Sequence, residues 1–124
     1  MLIEEELTEN VIGAAIEVHT ALGPGLLESA YMHCMAREFE LRGLQFRRKV
    51  ELPVEYKGVK LDCGYRMDFI VEEKLVLEIN AVDKLISIHE AQLLTYLKLS
   101  GFRIGLLINF HSAVIRNSLI RRVL

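Results

Sequence analysis

The chain has 124 residues, with 15 Lys and Arg against 17 Asp and Glu and a net charge of −2. That balance excludes a general polyanion-binding surface, so any nucleic-acid contact needs a local basic patch. With 52% hydrophobic residues, the chain suits one domain over residues 1–124 around a single core and is too apolar for a disordered segment. No apolar run approaches the roughly 20 residues that span a bilayer, so no membrane association is expected. The start, Met1 to Glu6, is acidic and lacks the basic stretch of a secretory signal. Cys34 and Cys63 are far apart and have no nearby partner, which predicts reduced thiols packed as small hydrophobes and a cytoplasmic location.

In chain order, Val11, Ala14, Ala15, Val18 and Leu22 recur at three- and four-residue spacings and predict a helix over 7–22. Thr8 is its expected N-cap, and Gly23-Pro24-Gly25 stops it. A second helix is expected over 26–42, with Leu27, Ala30, Tyr31, Cys34, Met35 and Leu41 inward and Gly43 at its end. The period then changes to two. Gln45 to Val54 reads as a strand, with Pro53 marking an edge or an end. Tyr56-Lys57-Gly58-Val59 reads as a turn, and Val59 to Leu61 as a strand that leads through Gly64 into the next one. The basic runs Arg47-Arg48-Lys49 and Arg121-Arg122 read first as solvated strand ends.

Two strands organise the rest: Tyr65 to Val71 and Leu75 to Asn80, joined at Glu72-Glu73-Lys74. Both are nearly continuous apolar runs, as in strands buried on both faces. Each nevertheless carries an interior carboxylate, Asp68 and Glu78. A buried carboxylate is costly unless it is paired or binds a metal. Neighbouring strands would let the two acids converge, and their oxygens suit Mg²⁺ or Mn²⁺. The other reading is an ion pair with Arg66 or Arg103. A helix follows over 86–99, then a buried strand over 104–110, then a segment over 114–123 that fits either a strand or a short helix. On that helix His89, Gln92 and Tyr96 fall within roughly 60° of arc. They border an apolar face of Ile86, Leu93 and Leu97.

Taken together, Gly25-Leu26-Leu27-Glu28-Ser29-Ala30-Tyr31, the Asp68 strand, the Glu78 strand, the His89/Gln92/Tyr96 helix and the Leu106 to Phe110 strand resemble the GxxExxY proteins of the PD-(D/E)xK nuclease superfamily. The resemblance runs over nearly the whole chain in order. It implies an α/β (α+β) restriction-endonuclease-like fold: an αβββαβ core, a mixed sheet flanked by helices, and an extra N-terminal helix. It implies metal-assisted phosphodiester hydrolysis of nucleic acid, with Mg²⁺ or Mn²⁺ at Asp68, Glu78 and the Ile79 carbonyl and Glu28 as a further acid. His89, Gln92, Tyr96 and Tyr31 would line the substrate cleft. One position departs from the signature: Asn80 stands where the lysine of Glu-x-Lys belongs. Losing one such electrostatic group typically costs about 10²–10³ in rate. Lys84, Lys74 and Lys49 are the candidates to replace it. The expectation is therefore an impaired nuclease, with a nuclease-fold module that binds nucleic acid or protein without turnover as the alternative. The high apolar content also suggests self-association into a homo-oligomer.

Overall fold

The computed structural model describes residues 3–124, so Met1 and Leu2 of the acidic start lie outside the described residues. Helix α1 (Glu5–Leu22) buries Val11, Ile12, Ala14, Ala15 and Val18 along one stripe. It begins earlier than its expected cap. Thr8 lies inside the helix, and its hydroxyl donates to the Glu4 carbonyl at 2.8 Å. Helix α2 (Glu28–Leu41) turns Tyr31, Met32, Met35, Ala36 and Phe39 inward. Leu27 and Leu41, expected inward, are 78% and 63% exposed. Leu27 precedes the first helical turn, and Leu41 lies two residues, about 200°, beyond the buried Phe39. Cys63, expected to be buried, is an exposed free thiol, while Cys34 is half-buried.

The strands are β1 (Phe46–Glu51), β2 (Val54–Tyr56), β3 (Val59–Leu61), β4 (Arg66–Val71), β5 (Leu75–Asn80), β6 (Ile104–Asn109) and β7 (Leu119–Val123). Helix α3 (Ser87–Ser100) lies between β5 and β6. Five strands form one sheet in the order β1-β4-β5-β6-β7, in which only the β5/β6 pair is parallel. A parallel pair needs a crossover, and α3 supplies it. The elements α2, β1, β4, β5, α3 and β6 give the expected αβββαβ order with α1 added in front, a restriction-endonuclease-like mixed sheet flanked by helices.

Two expectations for strands need correction. The strand expected to reach Val54 ends at Glu51, because Pro53 has no N–H for a ladder. Val54–Tyr56 and Val59–Leu61 instead pair only with each other, as a small separate hairpin. The segment after residue 114 contains both alternatives, a short 3₁₀ turn at Ile115–Asn117 and then β7.

The sheet carries apolar layers on both faces. Phe69, Val71, Leu77, Ile79, Leu106 and Ile108 pack with α1 and α2. Ile70 and Val76 pack with Tyr96 and Leu97 of α3. Ile86, expected on this apolar face, is the N-cap of α3 and is exposed. Buried Asn109 fixes the chain leaving β5. Its Oδ1 accepts the Val82 N–H at 3.0 Å, and its Nδ2 donates to the Val82 carbonyl at 2.8 Å. Asn109→Ala is expected to cost about 2–3 kcal/mol in urea unfolding, since it leaves buried backbone groups unpaired.

Candidate metal centre

The β4/β5 ladder runs from Val71↔Leu75 to Phe69↔Leu77. At the next position the two acids take over from the backbone. The Asp68 N–H donates to Glu78 Oε2 at 2.7 Å, and the Ile79 N–H donates to Asp68 Oδ2 at 2.8 Å. Each carboxylate thus has one oxygen committed to a backbone amide and a second without a protein donor among the described residues. Asp68 is half-buried and Glu78 only 9% exposed. Neither is ion-paired: Arg66 goes to Glu51 at 3.3 Å and Asp62 at 3.9 Å, and Arg103 makes no ion pair among the described residues.

A third acid arrives from the other side of the sheet. Gly25, with φ 106°, lets the chain turn into α2. Tyr31 locks that turn: its hydroxyl donates to the Gly23 carbonyl at 2.5 Å and accepts the Leu26 N–H at 3.2 Å. The ring stacks on Phe110 with centroids 4.5 Å apart. This fixes the first turn of α2, where Glu28 sits. Tyr31 itself is fully buried, so it belongs to the core and not to a substrate cleft.

Burial raises all three acids, and the Asp68 charge adds to the rise of Glu78 and Glu28. Burial, then the Asp68 charge, then Glu28 hold the Glu78 carboxyl well above the usual carboxylate range, against the Asp68 amide. Asp68 is raised first by burial, with the Ile79 amide and the Lys49 charge pulling it back. Glu28 is raised by partial burial and then by Asp68, with the Ala81 amide opposing. The site therefore gathers three carboxyl groups, with Lys49 the cation that acts on Asp68. Among the described residues, no three His, Cys, Asp or Glu side chains converge closely enough to hold a metal by themselves. A cation there would need backbone carbonyl or water oxygens beside Asp68 and Glu78.

Asn80 shares a face of β5 with Glu78, by strand alternation, and is half-buried. Its backbone carbonyl accepts the Phe110 N–H at 2.8 Å. On α3, the Gln92 amide donates to the Tyr96 hydroxyl at 2.8 Å. Burial raises the Tyr96 hydroxyl first; its Gln92 bond opposes, and the charges of Glu78 and Asp68 add to the rise. Tyr96 therefore lies on the acids' side of the sheet. His89 is partly committed elsewhere, because its Nδ1 accepts the Ile86 N–H at 2.9 Å and caps α3. Of the candidate lysines, Lys74 sits 3.9 Å from Glu4, Lys84 lies on the exposed connection after β5, and Lys49 stands on β1 beside Asp68.

Sequence reasoning missed Tyr65. It is 45% exposed and packs edge-to-face on Tyr96 with centroids 6.1 Å apart. Its place immediately before the Asp68 strand was the only signal. No curated protein and no solved structure shows significant similarity to the chain. A family model does: that of the PD-(D/E)XK nuclease superfamily matches residues 5–123, nearly the full length and every element from α1 to β7. On that match, the chain belongs to the PD-(D/E)XK nuclease superfamily.

Proposed function

We propose that the chain, as one domain of the GxxExxY group, hydrolyses phosphodiester bonds of nucleic acid with Mg²⁺ or Mn²⁺ held by Asp68, Glu78 and the Ile79 carbonyl. The observation that carries this reading is the pair of interior carboxylates at the open end of the β4/β5 ladder. Among the described residues each has a spare oxygen, and neither has an ion-pair partner. All-oxygen donors with two negative charges fit a hard divalent cation. Such an ion, when bound, polarises a phosphate and lowers the pKa of a bound water.

The chain's own groups have distinct tasks. The backbone amides of Asp68 and Ile79 fix the two carboxylates in orientation. Glu28, raised toward neutrality, is suited to take a proton from the attacking water. Gln92 and Tyr96, bonded to each other on α3, would supply an amide and a hydroxyl for the phosphate backbone. A second reading, nucleic-acid or protein binding without turnover, is favoured by one observation: Asn80 brings no charge to a place where a cation would stabilise the transition state.

Calorimetry with magnesium tests the metal site. Wild type is expected to bind in the millimolar range or tighter, and Asp68→Ala to give no heat of binding. Equal heats from both proteins would remove the metal centre and the reading with it. Plasmid and single-strand cleavage with Mg²⁺ then separates the two readings.

A further inference from the structure

The kinked middle of edge strand β1 provides what Asn80 lacks. Arg48 pairs with Phe69 and Val50 with Met67, so Lys49 stands opposite Asp68, yet those two residues break the ladder. Lys49 has φ 50°, a left-handed conformation uncommon for lysine and unexpected in a strand. The kink also switches the faces of β1. Phe46 packs with the α1/α2 layer, whereas Val50, four residues on, packs with the α3 layer. In an unbroken strand both would face the same way.

Two of the cations around Lys49 are ion-paired: Arg47 holds Glu73 at 2.7 Å and Arg66 holds Glu51. Arg48 is half-buried, with its guanidinium 5.8 Å over the Phe69 ring and its buried Nε without a hydrogen-bond partner among the described residues, so it lacks the exposure and reach of Lys49. Lys49 forms no ion pair among the described residues, and it is exposed beside a carboxylate pair short of positive charge. We propose that the Lys49 ammonium, on its flexible stem, contacts the scissile phosphate and replaces the charge missing at position 80. The inference rests on the nuclease reading.

In the step itself, a water oxygen adds to phosphorus while one P–O ester bond breaks. The water's proton passes to Glu28, and the leaving alkoxide takes a proton from solvent. Lys49 loses none of its protons; it lowers the energy of the added negative charge on the non-bridging oxygens.

The test exchanges the two residues. Lys49→Asn removes the charge and keeps a side chain that tolerates the left-handed backbone. It is expected to cut Mg²⁺-dependent cleavage about a hundredfold. Lys49→Arg should keep more activity than Lys49→Asn. The double variant Lys49→Asn/Asn80→Lys should recover most of the loss. Magnesium affinity, read by calorimetry, should stay equal or tighten in Lys49→Asn, because a like charge leaves the ion's surroundings; a merely structural lysine would weaken it. Wild-type rates in Lys49→Asn, with Asp68→Ala inactive, would overturn this inference and leave the nuclease reading standing. Magnesium binding without any wild-type cleavage would also overturn it, since a lysine already in place should support turnover. Absence of metal binding would instead remove the nuclease reading itself.

Discussion

Glu78→Gln is expected to lose cleavage by about 10²–10³ while raising the stability of the metal-free protein. The loss follows from removing a charged ligand. The gain follows from where that charge sits. Glu78 is 9% exposed and faces Asp68 and Glu28, so burial and repulsion hold its folded-state pKa well above the unfolded value. A group raised in this way gives stability that is fully present below its unfolded pKa and is lost as pH rises through the folded value. Wild type should therefore weaken from roughly pH 4 upward, the ordinary carboxylate range, while the glutamine variant does not. The difference should open with rising pH and reach about 1–3 kcal/mol, the cost of an ill-matched buried polar group. Thermal melts in chelator across that range measure it. Adding magnesium should stabilise wild type and narrow the gap, because an ion that binds only the folded state raises its stability. A glutamine variant less stable than wild type at neutral pH in chelator would contradict this account of the site.

The second large effect is expected one strand over from Glu78, at Gly105, which pairs with Val76. Helix α3 lies so close to β6 at Gly105 that an added Cβ would sit 2.7 Å from Leu93 Cδ1 and 3.1 Å from Leu97 Cδ1. Both leucines are fully buried, so neither methyl has anywhere to go. Gly105→Val should cost about 3 kcal/mol in urea unfolding, at the upper end of overpacking effects. The helix must lift from the sheet to admit the branched side chain. Gln92 and Tyr96 would then move away from Asp68 and Glu78, which sit on β4 and β5 and stay in place. Cleavage by the folded fraction should fall while magnesium affinity holds. A variant that loses magnesium binding in proportion to cleavage would show that α3 also supports the carboxylates.

The order of elements was legible because burial writes itself into spacing. Val11, Ala14, Ala15 and Val18 could only be one face of a helix, and the apolar runs around Asp68 and Glu78 could only be central strands. The same logic failed where a residue's setting is made by distant chain. Tyr31 reads as an inward helix residue with a polar tip, and nothing local says that the tip is spent on Gly23 and Leu26. Val54 and Val59–Leu61 have strand composition, but composition does not reveal that their only partners are each other. The left-handed turn of Lys49 leaves no mark in sequence, since lysine is seldom chosen for that conformation. Only the family resemblance joined Glu28 to Asp68 and Glu78; no local pattern does, because Glu28 approaches from a helix about 40 to 50 positions earlier in the chain.

The bend in β1 also bears on how copies of the chain behave beside one another. β1 is an outermost strand, with one row of amides and carbonyls turned away from β4. A flat outer strand is a template on which a neighbouring molecule can add its own strand and start a fibril. Here the row is interrupted midway by a left-handed residue and flanked by the cationic side chains of Arg47, Arg48 and Lys49. A docking strand would lose its register at the bend and meet like charge on either side. Straightening and neutralising that edge would therefore endanger solubility as well as chemistry.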